Sequence, residues 1–136
     1  MAVLAATAII TTVITTASMN NETVVTTSTT LSVINNEELA GTATTKQFNI
    51  PVGFEYVKVS FKNTGSKVFT FTMNQGSTDG TAKMSYTVLA DGKEHTYWSD
   101  QAWSTGWFYV SVSSAQGMSG RLSVLVGNDL NELKSL

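Results

Sequence analysis

The feature that most constrains this chain is strict two-residue alternation. In "YVKVSFK", Val57, Val59 and Phe61 fall on one face and Lys58, Ser60 and Lys62 on the other. "KVFTFTMN" repeats the pattern, with Phe69, Phe71 and Met73 opposite Val68, Thr70 and Thr72. Side chains alternate across a strand, so such stretches fold as strands with one buried face. Between the two runs lies "NTGS", where Gly65 is free to take a positive φ, and this spacing predicts a hairpin.

The pattern continues through the chain. "AKMSYTVL" sets Met84, Tyr86 and Val88 on one face, after the polar loop "NQGSTDGT". "ADGK", with Asp91-Gly92, predicts a second tight hairpin turn into "EHTYWS". In "GWFYVSVSS", Phe108, Val110 and Val112 share a face; in "GRLSVLVG", Leu122, Val124 and Val126 do. Upstream, "TVVTTSTTLSVI" and "KQFNI" read as strands, and "NNEELAG" between them as a loop or one helical turn closed by Gly41. About eight strands at a spacing of roughly 8–12 residues predict an all-β fold, a single jelly-roll or Greek-key β-sandwich. In "NDLNELKSL", Asn128 or Asp129 is placed to cap a short helix or begin a frayed tail. The expected organisation is an N-terminal arm over 1–22, a sandwich over 23–127 and a C-terminal tail or helix over 128–136.

Composition agrees. The 136 residues are 42% hydrophobic and 13% charged, with net charge −2, one Pro and no Cys. Ser and Thr are abundant, and Thr suits a half-buried pleated surface. Disulfides and thiolate chemistry are excluded. No basic surface is extensive enough to follow a phosphate backbone, so nucleic acid is not an expected partner. Low charge leaves little self-repulsion and favours association.

The opening stretch, "MAVLAATAIITTVITTASMN", carries no charge, and the first charged side chain is Glu22. A signal peptide begins with a basic segment, yet no Lys or Arg precedes Lys46. Residues 2–19 approach the length of a membrane helix. Thr7, Thr11, Thr12, Thr15, Thr16 and Ser18 fill them with hydroxyls, and β-branching disfavours a helix. An ordinary first strand, or a helix packed on its own domain, is the plain reading. The favoured one is an extended arm that docks on a neighbouring subunit, burying Val3, Leu4, Ile9, Ile10, Val13 and Ile14. A head-to-tail contact of this kind does not close, so it builds a filament.

Chemistry finds little support. His95 is the only His; Ser99 and Asp100 lie near it in sequence, which does not establish a triad. The ten acids nominate no glycosidase pair, and "NQGSTDG" lacks the acidic spacing of a calcium loop. No catalytic residue, metal or cofactor is expected, and the protein does not read as an enzyme. The local feature of interest is "TYWSDQAWSTGWFYV", with Tyr97, Trp98, Trp103, Trp107, Phe108 and Tyr109. If Phe108 faces the core, Trp107 and Tyr109 face outward. Trp103, Trp107 and Tyr109 are candidates for a surface contact with another subunit or a sugar, with Asp100 and Gln101 available to hydrogen-bond. The plainer alternative makes Trp98 and Trp103 core or loop anchors.

Over residues 23–127, from "EYVKVSFKNTGSKVFTFTMNQGS" through "GRLSVLVG", the strand rhythm resembles the jelly-roll subunits of bacterial endospore appendages. The resemblance implies a compact eight-stranded domain preceded by an N-terminal connector, without a cleaved signal peptide. It implies polymerisation by insertion of that connector into neighbours and by sheet augmentation, outside the cell or at a cell or spore surface. The connectors of that family carry cross-linking cysteines; this chain has none, so assembly would rest on burial and strand pairing alone. The leading expectation is a filament subunit whose partner is itself. A glycan-binding module using the 97–109 aromatics, or a membrane-active protein inserting residues 2–19, are the alternatives.

Overall fold

The computed structural model describes residues 10–19 and 22–136, with side chains described from Thr30 onward. Seven strands and one helix follow in order: β1 (Ile10–Met19), β2 (Glu22–Ile50), β3 (Tyr56–Asn63), β4 (Phe69–Gln75), β5 (Ala82–Val88), β6 (Glu94–Trp98), β7 (Gly106–Gly127) and α1 (Leu130–Ser135). All pairings are antiparallel.

Two strands are far longer than the rest, 29 residues for β2 and 22 for β7, and their irregularities explain the architecture. β2 pairs with β7 from Thr30↔Gly127 to Gly41↔Met118, then resumes at Ala43↔Ser113 and runs to Ile50↔Gly106. At this break Gly41 has φ 80° and Gly117 φ 92°, values that cost a residue with a Cβ but not glycine. Both strands turn a corner here, and each serves two sheets. The first half of β2, the second half of β7, β3 and β6 form sheet I. The second half of β2, the first half of β7, β4 and β5 form sheet II.

Counted by halves, β2 to β7 supply eight segments, four per sheet. In chain order, with those halves numbered 1 and 2 for β2 and 7 and 8 for β7, sheet I runs 1-8-3-6 and sheet II runs 2-7-4-5. This interleaving of two Greek keys is a jelly roll, as the strand rhythm predicts.

The topology corrects several local expectations. "NTGS" does not close a hairpin: β3 pairs with Gly120–Gly127 of β7, and β4 pairs with Phe108–Ser113. The turn instead crosses between sheets. Asn63, fully buried, fastens it by donating to the carbonyls of Lys67 (2.8 Å) and Val88 (3.3 Å) and accepting from Gly65 N–H at 3.1 Å. "ADGK" likewise crosses, from β5 in sheet II to β6 in sheet I, with Gly92 N–H donating to the Asn63 carbonyl at 3.1 Å. "NNEELAG" is not a loop or helical turn but the bulged middle of β2, with Asn36 at φ 48° and Leu39 fully buried. "GWFYVSVSS" and "GRLSVLVG" are likewise one strand. The loop "NQGSTDGT" spans a true hairpin, β4–β5.

The alternation reads the core correctly. Val57, Val59, Phe61, Phe69, Phe71, Met73, Phe108, Val110, Val112, Leu122, Val124 and Val126 all lie inside, while Val68 is exposed. The exception is Tyr86, half exposed between buried Met84 and Val88. Aromatic rings bridge the two sheets: Phe61 on β3 meets Phe71 on β4 with centroids 4.3 Å apart, and Phe69 at 5.7 Å. Fully burying one such side chain contributes about 1.5–3 kcal/mol, so the facing rings do much to hold the layers together.

Helix α1 covers part of the outer face of sheet I, against β3 and β7. Asp129 is its N-cap, accepting from Asn131 N–H at 2.9 Å. Leu133 is its fully buried anchor. Lys58, buried on the outward side of β3, is satisfied beneath the helix by donating to the Leu136 carbonyl at 2.6 Å.

Candidate functional site

The described part of the N-terminal stretch, β1, pairs with the chain's own β2 over ten positions, Ile10↔Leu31 to Met19↔Glu22. The pairing of β2 with β7 begins only at Thr30. Residues 22–29 of β2 therefore have β1 as their sheet partner, and among the described residues β1 pairs with β2 alone. The outcome is a two-stranded ribbon running on from the edge of sheet I, with the outer edge of β1 unpaired. Of the residues expected in an inter-subunit arm, Ile10, Val13 and Ile14 lie in β1, and Val3, Leu4 and Ile9 lie outside the described residues.

Among the described residues other edges are open too: β5 pairs with β4 alone, β6 with β3 alone, and residues 32–50 of β2 with β7 alone. Alongside β5 runs a groove of about 490 Å³, lined by residues 81–86 and 98–103. Its walls include Met84, Tyr86, Trp98 and Trp103. The indole N–H of Trp98 is buried there without a hydrogen-bond partner.

The aromatic segment divides between core and surface. Trp103 is only 7% exposed and stacks on Phe108 at 5.3 Å. It is therefore a core anchor rather than a surface contact, as the plainer reading holds. Trp107 is 50% exposed and Tyr109 half-buried, both on the outer face of sheet II. Tyr97 turns inward and stacks on Tyr86 at 4.4 Å, joining β6 of sheet I to β5 of sheet II. Burial, and after it the neighbouring Tyr86, pushes the Tyr97 phenol above its usual pKa.

The groups considered for catalysis do not converge. Ser99 is buried and accepts from the Val57 N–H at 2.9 Å, a structural bond fixing the end of β6. His95 donates to Asp91 at 2.9 Å. That bond, followed by the Lys93 N–H, holds the Asp91 carboxyl below the usual carboxylate range. Among the described residues no group of three His, Asp or Glu side chains is arranged to hold a metal ion. None of the described helices is long and apolar enough to cross a membrane.

One arrangement is missed by sequence reading. The register of sheet II aligns Thr45, Ser111, Thr72 and Ser85 in one row across its outer face, and Ala43, Ser113, Thr70 and Thr87 in the next. Hydroxyls bond across strands, Thr72 to Ser85 at 3.1 Å and Thr70 to Ser113 at 3.3 Å. "TFT", "SVS" and "SYT" each show the period, but only the pairing brings them side by side.

Fold and edges together define a jelly-roll domain with a paired N-terminal ribbon and several open strand edges. No family model matches the chain, and no curated protein matches it. Five chains of solved structures match. One, from "Structure of infectious bursal disease virus Gx strain", is 13% identical with a TM-score of 0.39, covering 82% of this chain and 37% of that one. The chain thus spans little more than a third of that protein, and the likeness bears on neither activity nor partner.

Proposed function

We propose that the protein is a structural subunit that self-assembles into an extracellular filament by strand pairing at its N-terminal ribbon. The observation that carries this is the outer edge of β1, unpaired among the described residues, on a ribbon that runs past the last β7 partner of β2. An isolated two-stranded ribbon is marginal in water. A long, uncharged, β-branched edge is a template for another chain. Proteins that avoid such pairing protect an edge with Lys, Pro or charge; from residue 1 to residue 36 this chain carries one charge, Glu22, and no Pro.

In this reading β1 is the donor, and the open edge of β5 beside the 81–86 and 98–103 groove is the receiver. Backbone hydrogen bonds supply affinity, and the half-exposed Tyr86 at the groove supplies specificity. Donor and receiver are different surfaces, so the contact is heterologous and propagates. The role is architectural rather than catalytic, placed outside the cell or at a cell or spore surface, and its partner is a second copy of the chain.

Negative-stain microscopy and sedimentation of the full-length chain, alongside a chain lacking residues 2–19, test the proposal. The full chain should form filaments and the truncated one a folded monomer. Filaments from the truncated chain would refute it.

A further inference from the structure

Among the described residues no helix covers the outer face of sheet II, and the face carries almost no charge. Helix α1 lies against sheet I, and Lys46 turns away to pair with Glu37 at 3.4 Å. Of the outward side chains on the four segments of sheet II, only Lys83 at one margin is charged. The two hydroxyl rows occupy one part of the face, and next to them stand Tyr109 and Trp107. Register sets Gln47 beside Tyr109 and Asn49 beside Trp107, and both amides are exposed.

We propose that this face binds a neutral polysaccharide, an extended chain with one sugar stacked on Trp107. A pyranose ring presents an apolar C–H face and a rim of hydroxyls. The C–H face suits the exposed indole, and the rim suits amides and Ser/Thr hydroxyls that donate and accept equally. Successive outward residues on β7 stand about 6.6–6.8 Å apart, so Trp107, Tyr109 and Ser111 offer contacts along a chain rather than to one sugar. The face argues against other partners. An anionic ligand would find no cluster of cations to answer it. A protein partner would need an apolar centre, and Trp107 is the only exposed large hydrophobic among these outward positions. The site centres on Trp107 and Tyr109 and meets the β5 groove only at its margin, at Lys83 and Ser85, so on an assembled filament it would be displayed in many copies.

The test is binding of the full-length protein to immobilised cellohexaose, chitohexaose and laminarihexaose by interferometry, with Trp107→Ala, Trp107→Phe and Val52→Ser compared at equal assembly state. Val52 is 82% exposed and outside the sheets, so it serves as the control. Expected is binding to at least one glycan, weakened about tenfold or more by Trp107→Ala. Trp107→Phe should retain it within about threefold, and Val52→Ser should match the parent chain. No binding to any of the three, or Trp107→Ala binding as well as the parent, would overturn the proposal. So would Trp107→Phe or Val52→Ser losing as much as Trp107→Ala while circular dichroism shows the fold intact.

Discussion

Replacing Phe71 by Ala tests the packing of the two sheets directly. Phe71 is 1% exposed on β4 of sheet II, with ring centroids 4.3 Å from Phe61, 5.4 Å from Tyr97 and 6.0 Å from Tyr86. Two of those partners, Phe61 and Tyr97, belong to sheet I. The substitution removes a buried ring and leaves a cavity between layers too closely packed to collapse, a loss of about 3–5 kcal/mol. With unfolding entropy near 2.1 cal/mol/K per residue, a chain of this length should lose about 10–17 °C in Tm. Tyr86→Ala, at a half-exposed site, should cost only about 1 kcal/mol. A Phe71→Ala/Tyr97→Ala cycle should show coupling of about 0.5–1.5 kcal/mol. Calorimetry and urea titration of each variant give these values. A Phe71→Ala loss under about 1.5 kcal/mol, or no coupling to Tyr97, would mean that Phe71 is not the ring joining β4 to β6. The sheet-crossing assignment of the "NTGS" and "ADGK" turns would then fail with it.

Three other outcomes follow from particular contacts. A Cβ at residue 120 would meet the Lys62 carbonyl oxygen at 2.4 Å, so Gly120→Ala should force β3 from β7 and lower the urea midpoint by the equivalent of about 1–3 kcal/mol. Asp129→Ala removes the acceptor for Asn131 N–H and should cost about 1 kcal/mol, seen as faster amide exchange through α1. Because burial raises the Tyr97 pKa in the folded state, the stability it contributes is complete below the unfolded value of about 10 and is lost as pH rises through the higher folded value. Thermal scans from neutral to alkaline pH should show that loss diminished in Tyr97→Phe; an unchanged alkaline slope would refute it.

How much was legible in the sequence differs by level. Alternation identified the inward faces of β3, β4 and β7, because period two is a property of the strand itself and burial acts on each residue separately. It missed Tyr86, which has the inward parity but sits on an edge strand where the core is open to solvent. The helix cap was readable only as Asn128 or Asp129, and the structure places it at Asp129, whose side chain bonds an amide two residues on. Trp103 was not readable, since it lies outside any strand and the same aromatic letter serves a core anchor and a surface platform. The groove beside β5 and the hydroxyl rows of sheet II belong to no single stretch. They exist only where distant strands align.

By itself, then, the sequence determined an all-β chain, its inward faces, its number of strand segments and an N-terminal stretch with almost no charge. The tertiary structure alone decided the partners. Turns at "NTGS" and "ADGK" look like hairpin closures because turn chemistry depends on a few local dihedrals, and those are the same whether the chain folds back or crosses over. What sent it across was β7: its inner face is buried on both sides of the corner, and the corner at Gly41 and Gly117 lets one strand cover two sheets. Strands β3 and β4 pair with it in succession instead of with each other. Pairing depends on which edges remain open once the longest strands are in place, and that is set by the whole assembly of segments, not by any one of them.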